Sequence, residues 1–328
     1  MINFFKTHNP LNMLWLVVVL FALRAGYLLN LPGKIDATFS VPLGKLLLTK
    51  GLFPELSPAA NVAIAAVFTF VQALLLNRLV NHYNLLGKPT FLPALMYITV
   101  SGLFTPFLVL SAPLICNFLV LWMLFKLLGF YKSKDSKAAA FDLGMIVGLG
   151  SLIYLPFIYF FLLIWIALII FKPFNWREWT TCILGYAVVF LFLAVYYYLN
   201  NSIMLFGAIW LPLATKFPAI VRINYLNYSI LLPVLLILTF CFFRLQQNFY
   251  KSYVQVRKSF QLLVITLLVA GLCFYTRAGF QLSHFLLCAI PVAVFFSYYF
   301  LYASRRWFYE ILYLLLLVMV VYFQFNTF

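Results

Sequence analysis

The chain alternates between long apolar runs and short stretches that hold most of its charged residues. A helix rises about 1.5 Å per residue, so runs of roughly 20 residues match a hydrocarbon core of about 30 Å. The sequence lacks the alternating strands of about 10 residues that a membrane barrel needs. The pattern therefore predicts an all-α polytopic transmembrane helix bundle of about 10–11 spans. The runs cover residues 11–31, 60–82, 91–109, 112–131, 138–154, 156–172, 179–199, 226–244, 260–275, 285–303 and 308–325.

Two of the connecting stretches are longer than a turn, at residues 31–58 and 200–225. Both mix charges with apolar residues, which is typical of amphipathic segments that lie in a membrane interface. We predict that they lie on the outer face. No soluble linker interrupts the runs, so the chain is predicted to form a single integral membrane domain over residues 1–328.

Residues 138–172 allow two interpretations. Their length is short for two full crossings and long for one, yet the basic loops on both flanks favour the same side of the membrane. Two short helices hinged near Pro156 satisfy this requirement, and so does a re-entrant hairpin. In the first of these helices, Gly144 and Gly148, followed by Gly150, form a small-residue pattern that permits close helix packing in the bundle interior.

Composition excludes a soluble protein, because 66% of the residues are hydrophobic and only 9% are charged, against about 25% charged in a soluble domain. The net charge of +16 comes from short basic clusters between apolar runs. Basic clusters in such positions orient a protein in the membrane and contact anionic lipid. Their placement argues against a nucleic-acid partner.

The basic residues also predict the orientation of the chain. With the N-terminus in the cytoplasm, 15 basic residues lie in inner loops and 6 in outer loops, while Arg24 falls inside the first run. Because inner loops carry an excess of Lys and Arg, this count favours an N-terminus inside and a C-terminus outside.

Only six acidic residues occur in the chain, and Asp36 and Glu55 stand apart because both fall in the first outer loop. A carboxylate there could deprotonate a hydroxyl acceptor or hold a metal, and neighbouring lysines could bind a phosphate. The alternative is two ordinary loop charges at a membrane surface. By contrast, Glu310 follows Arg306 by four residues, a helix spacing that favours a structural ion pair.

Arg24 is the most informative cation. It lies about 10 Å below the outer end of the first run, and an arginine at such a depth is costly. Its side chain either extends to the outer interface or lines an outward cavity that binds an anionic headgroup. The candidate residues for a lipid phosphate are Arg24, Lys34, Lys45, Lys50, Arg222, Arg277 and His284. The cysteines and histidines show no metal-ligand spacing, and no cofactor is assigned.

The stretch from Gly148 to Trp179, and above all the string Pro-Phe-Asn-Trp-Arg-Glu-Trp that begins at Pro173, resembles an uncharacterised inner-membrane family of Bacteroidetes-type bacteria, the domain of unknown function 6427. The likeness in length and span layout extends over nearly the whole chain. It implies a multi-pass protein of a bacterial inner (cytoplasmic) membrane, and it implies no particular activity.

More loosely, the plan resembles polytopic glycosyltransferases that use polyprenyl-phosphate sugars. In those enzymes an acidic residue in the first outer loop acts in catalysis, which would correspond to Asp36. The chain departs from them in having no paired Asp-Glu or Asp-x-Asp and no soluble C-terminal domain.

Three hypotheses follow. The first is a glycosyltransferase-like or degenerate protein for a lipid-linked sugar, with Asp36 as the base and polyprenyl phosphate as a partner. The second is a non-enzymatic subunit or scaffold of a cell-envelope complex for secretion or envelope assembly. The third is a lipid or small-molecule carrier.

Overall fold

The computed structural model of the chain describes residues 2–32, 57–131, 137–208, 231–248, 253–273, 281–303 and 305–325. Throughout these ranges the regular structure is helical, with no strand. Numbered in chain order, the α-helices are α1 (Ile2–Phe5), α2 (Leu11–Ala22), α3 (Ala25–Leu29), α4 (Pro58–His82), α5 (Leu92–Val100), α6 (Ala112–Gly129), α7 (Lys137–Ile153), α8 (Phe160–Phe171), α9 (Trp176–Leu199), α10 (Ile203–Ala208), α11 (Leu231–Asn248), α12 (Val254–Leu272), α13 (Ala289–Tyr302) and α14 (Arg306–Phe325). Short 3-10 segments lie at Thr105–Phe107, Leu155–Tyr159 and Leu282–Cys288.

Within the described ranges, six segments are long and apolar enough to cross a membrane: Pro58–His82, Ala112–Gly129, Trp176–Leu199, Leu231–Asn248, Val254–Leu272 and Leu282–Tyr302. Shorter apolar helical segments are found at Leu11–Ala22 and Leu155–Phe171. Each predicted apolar run contains helix. The chain is therefore a multi-pass membrane helix bundle, which confirms the predicted fold class.

Two of the predicted continuous spans are interrupted. The first breaks at Leu23 and Arg24, between α2 and α3. The third ends as an α-helix at Val100 and continues through a 3-10 turn. Pro106 lies in that turn, and its ring cannot enter the interior of an α-helix without loss of a backbone hydrogen bond.

The segment over residues 138–172 forms two helices, α7 and α8, with the hinge at Tyr154–Pro156. Tyr154 has extended backbone angles (φ −143°, ψ 107°), so α7 has ended before Pro156. The Sγ of Cys116, near the start of α6, lies 3.9 Å from the carbonyl oxygen of Gly150. At the other end of the same helices, Lys126 forms an ion pair of 2.6 Å with Asp142. Thus α6 and α7 are antiparallel along most of their length, which favours two short crossings.

Contacts between helix termini define two ends of the bundle. At the basic end, the Phe91 amide donates to the Phe5 carbonyl over 3.0 Å. There the Tyr302 hydroxyl also donates to the Leu86 carbonyl over 2.9 Å. The opposite end, called the Arg24 end, holds Arg24 with the first turns of α4, the 3-10 turn at Thr105–Phe107, the α7–α8 hinge and the start of the segment Leu282–Cys288.

Apart from Arg24, the described basic residues lie in or beside helix termini at the basic end. They are Lys6, Arg78, Lys88, Lys126, Lys137, Lys172, Arg177, Arg244, Arg257, Lys258, Arg305 and Arg306. This clustering is the asymmetry on which the predicted orientation depends. That the basic end faces the cytoplasm remains a prediction.

The centre of the bundle is formed by α5 and α13, which pack against each other. Every residue of α5 is buried, and 78% of the most apolar window of Leu282–Tyr302 is buried, against 17% of that in α9. Helix α9 lies at the periphery and packs closely on α7; the glycines of α7 predicted a close helix contact but not this partner. A Cβ on Gly144 would overlap the carbonyl oxygen of Cys182, and one on Gly185 would overlap that of Phe141. Only glycine permits backbones to approach this closely.

Candidate functional site

The sequence-predicted site residues divide into two groups. Arg24 and His284 lie in the described part of the chain, at the Arg24 end. The others lie outside the described residues: Asp36, Glu55, Lys34, Lys45, Lys50, Arg222 and Arg277. The structure does describe the elements that flank them, and the two that flank residues 33–56, α3 and α4, lie beside Arg24.

Arg24 stands in the break between α2 and α3 and is 2% exposed. Its backbone is near the helical region (φ −109°, ψ −7°), and the helix resumes with the Leu28 amide bonded to the Arg24 carbonyl over 3.0 Å. The side chain therefore points into the protein interior. It does not extend to the outer interface, which was the first of the two placements that the sequence predicted.

The guanidinium of Arg24 binds three acceptors, all of them neutral. Nη1 donates to the carbonyl oxygens of Val62 at 3.3 Å and Leu108 at 3.0 Å. Nη2 donates to the hydroxyl of Thr69 at 2.8 Å, and that hydroxyl donates in turn to the carbonyl of Ala65 at 2.8 Å. Among the described carboxylates none pairs with Arg24. The cation is thus enclosed and hydrogen-bonded, while its charge is not compensated by these residues.

These bonds tie together elements that are far apart in the chain. Arg24 lies before residues 33–56, and Val62 lies just after them in the first turns of α4. Leu108 belongs to the next turn at the same end, where Asn61 also accepts from the Leu110 amide at 2.8 Å. One guanidinium therefore holds both flanks of the segment that contains Asp36 and Glu55, together with a second turn.

A second buried polar cluster lies next to this one, and the sequence analysis did not identify it. The Tyr97 hydroxyl donates to Oε1 of Gln72 at 2.7 Å and accepts from Nδ2 of Asn117 at 3.0 Å. Gln72 donates to the carbonyl of Leu114 at 2.7 Å, and Asn117 donates to that of Leu286 at 3.0 Å. The cluster joins α4, α5, α6 and the segment Leu282–Cys288. One feature of the sequence could have revealed this cluster, namely the amide side chains that lie inside apolar runs.

The Asn117 amide is incompletely satisfied. Its Oδ1 is buried and has no hydrogen-bond donor among the described residues. Buried polar atoms are usually paired, so this oxygen would accept a hydrogen bond from a small polar group. It lies within the cluster that fixes the turns of the Arg24 end.

His284 is 2% exposed and is held by the protein through both ring nitrogens. Nε2 lies 2.8 Å from the carbonyl oxygen of Ala270, and Nδ1 lies 2.8 Å from the Tyr154 hydroxyl. Because a carbonyl only accepts, Nε2 carries a hydrogen, and the neutral ring satisfies both bonds. His284 thereby fixes the α7–α8 hinge to the end of α12. A role as a phosphate ligand remains a prediction and would require one of these bonds to be replaced.

The described acidic residues form ion pairs at the basic end. Asp142 lies 2.6 Å from Lys126 and Glu178 lies 3.5 Å from Lys172. Glu310 lies 3.1 Å from Arg306, four residues before it, as its spacing predicted. Within the ranges that the structure covers, no group of three or more His, Cys, Asp or Glu side chains is placed to hold a metal ion.

Comparison with known proteins gives one match. A family model described as "Family of unknown function (DUF6427)" matches residues 29–328. No curated protein and no solved structure matches the chain significantly.

Proposed function

The chain belongs to the DUF6427 family, whose function is unknown, and from its own residues we propose a glycosyltransferase-like or degenerate protein that binds a lipid phosphate at the Arg24 end. The observation that carries the proposal is the buried guanidinium of Arg24, which joins both flanks of residues 33–56. Asp36, Glu55, Lys34, Lys45 and Lys50 all belong to that segment.

Charge favours an anionic ligand at this end. Arg24 carries a positive charge that the described carboxylates do not neutralise. The loops predicted to lie on the same side of the membrane contain Arg222 and Arg277. Guanidinium and ammonium groups are the side chains that bind phosphate. A lipid phosphate is the anion that a protein with so little soluble surface meets in a bilayer, and we propose the polyprenyl-phosphate class.

The proposed reaction assigns one role to each group. An acceptor hydroxyl attacks the anomeric carbon of a lipid-linked sugar, and Asp36 takes the hydroxyl proton. The bond between that carbon and the phosphate oxygen breaks, and the lipid phosphate leaves. The lysines neutralise the charge that develops on the leaving phosphate. In a degenerate protein the same end binds the lipid and Asp36 takes no proton.

Location follows from the charge asymmetry of the bundle. If the basic end faces the cytoplasm, the Arg24 end faces the outer side of a bacterial inner membrane. Lipid-linked sugars presented on that side would then reach residues 33–56 within the cell envelope.

The lipid is tested first, by native mass spectrometry of the protein extracted gently from its own membrane. We expect a bound polyprenyl phosphate that is lost when Lys34, Lys45 and Lys50 are changed together to Gln. The matched control changes Lys88, Lys132 and Lys134 to Gln, which removes the same charge on the side predicted to be cytoplasmic. Absence of the lipid from the unmodified protein, or equal loss in both triple variants, contradicts the proposal.

Catalysis is tested separately with Asp36→Asn. We expect this variant to retain the lipid and the fold but to lose sugar transfer, whereas Glu310→Gln at the basic end retains transfer. Full transfer by Asp36→Asn would rule out its role as the base. Lipid binding without any transfer by the unmodified protein would select the degenerate form.

A second candidate, a non-enzymatic subunit or scaffold of an envelope complex, is favoured by the exposure of α9. Its most apolar window is only 17% buried, and Phe192, Tyr196 and Tyr198 are exposed on it. Such a face suits a partner helix as well as lipid. A photo-crosslinker at Phe192 that captures the same membrane protein repeatedly, while no polyprenyl phosphate is bound, would select the scaffold; crosslinks to lipid alone would exclude it at this face.

A further inference from the structure

A groove at the basic end is separate from everything proposed above. It lies where the last turns of α11 meet the end of α13 and the start of α14, and its volume is about 450 Å³. That size is within the range of ordinary ligand sites. Its lining residues include Phe240, Phe243, Arg244, Tyr299, Arg305 and Phe308.

Aromatic packing fixes the walls of the groove. The ring of Phe240 stacks on Tyr299 with centroids 6.0 Å apart and planes 16° apart. The same ring meets the edge of Phe308 at 5.7 Å. These contacts hold α11 against α13 and α14. Arg244 follows Phe240 by four residues, so the two lie on the same face of α11, and both line the groove.

The groove combines two cations with no acid in its lining. Arg244 projects from α11, and Arg305 lies between α13 and α14. The nearby carboxylate of Glu310 lines a different groove, together with Trp307 and Leu314, and pairs with Arg306. Arg244 and Arg305 are thus the charged residues of the groove's described lining.

We propose that this groove binds the headgroup of an anionic phospholipid from the leaflet at the basic end. The phosphate lies between Arg244 and Arg305, since a guanidinium binds phosphate oxygens through paired hydrogen bonds. Phe243 and Phe308 are 60% and 47% exposed, and they provide the apolar wall along which an acyl chain lies. Basic pockets between transmembrane helices bind anionic lipid headgroups in other membrane proteins. This inference does not depend on the function proposed for the Arg24 end.

The test uses the full chain, purified in a neutral detergent and freed of lipid. Native mass spectrometry compares the binding of phosphatidylglycerol, which is anionic, with that of phosphatidylcholine, which has no net charge. We expect phosphatidylglycerol to bind at least about ten-fold more tightly, and Arg244→Gln combined with Arg305→Gln to remove that preference.

The matched control is Arg306→Gln. It removes the same charge one position away from Arg305, from a guanidinium already engaged by Glu310, and we expect the preference to remain. A preference for phosphatidylglycerol that persists in the double variant overturns the proposal. An equal loss of that preference in Arg306→Gln also overturns it, because binding would then depend only on the total positive charge. If the double variant does not fold, Arg305→Gln alone serves, because Arg305 is exposed.

A further arm distinguishes a lipid from a soluble anion. Inorganic phosphate is added to the protein before phosphatidylglycerol. We expect millimolar phosphate to leave phosphatidylglycerol binding within about two-fold, because the acyl chains contribute to the affinity. Inorganic phosphate that binds alone and displaces the lipid would overturn the assignment to a phospholipid.

Discussion

Arg24 and Arg306 carry the same guanidinium at opposite ends of the bundle, and their surroundings differ in nearly every respect. Arg24 is 2% exposed and donates to Val62, Leu108 and Thr69. The side chain of Arg306 is 72% exposed and meets one carboxylate, that of Glu310 on its own helix. The first arginine is part of the interior, and the second is part of the interface.

The difference also appears in how far along the chain each contact reaches. The partners of Arg24 lie 38, 45 and 84 residues away, whereas Glu310 lies 4 residues from Arg306. A contact within one helix turn adds little to the fold, because the helix already places both groups. Contacts between distant segments position those segments relative to each other. We therefore expect substitutions at the Arg24 end to affect the whole bundle and substitutions at the basic end to remain local.

The largest effect is expected for Arg24→Met. This change removes the charge and leaves the Leu108 carbonyl and the Thr69 hydroxyl, both of them buried, without their donor. The free energy of unfolding should fall by about 3 kcal/mol, since each unsatisfied buried group costs about 1–3 kcal/mol. Thermal and denaturant unfolding of the unmodified protein and the variant, in the same detergent, measures this change in the free energy of unfolding.

Arg306→Met is the matched control, with the same chemistry at an exposed position. We expect it to change stability by less than about 0.5 kcal/mol. Equal stability of the two variants would contradict the comparison, because it would mean that the bonds of Arg24 contribute no more than a surface pair.

A smaller effect is expected for the Gln72–Tyr97 hydrogen bond. A double-mutant cycle with Gln72→Leu and Tyr97→Phe should give a coupling of about 1 kcal/mol, because both groups are buried and lie 2.7 Å apart. The comparison at the basic end is Tyr309 with Asn3, 2.6 Å apart but only partly buried. We expect a smaller coupling there. A larger coupling at the basic end would reverse the proposed distinction between the two ends.

The features that could be predicted from the sequence are those set by neighbours along the chain. Hydrophobic runs predicted the helices, Pro156 predicted the hinge between α7 and α8, and the spacing of Arg306 and Glu310 predicted their ion pair. Gly144 predicted a close helix contact, although not its partner in α9. Each of these is a local rule about period, backbone freedom or helix spacing.

The remaining features depend on segments that meet only after folding. The sequence identified Arg24 as a cation inside the first apolar run but left its partners open, and no spacing rule relates Leu108 to it. The break between α2 and α3 was also not predicted, because Leu23 and Arg24 are not residues that usually end a helix. The cluster of Gln72, Tyr97 and Asn117 comes from three different helices. A search for amides inside apolar runs would have identified its members but not their contacts.

The smallest effect is expected for the Arg306–Glu310 pair itself. A double-mutant cycle with Arg306→Gln and Glu310→Gln should give about 0.3–0.5 kcal/mol, the usual value for an exposed pair at this helix spacing. The pair is exposed enough that mobile ions reach it, so the coupling should decrease as salt is raised from about 0.01 M to 1 M. The loss caused by Arg24→Met should change little over the same range, because its acceptors are neutral and enclosed. If salt reduced both effects in parallel, Arg24 would be accessible to ions, and the two ends would no longer differ in the way that their geometry indicates.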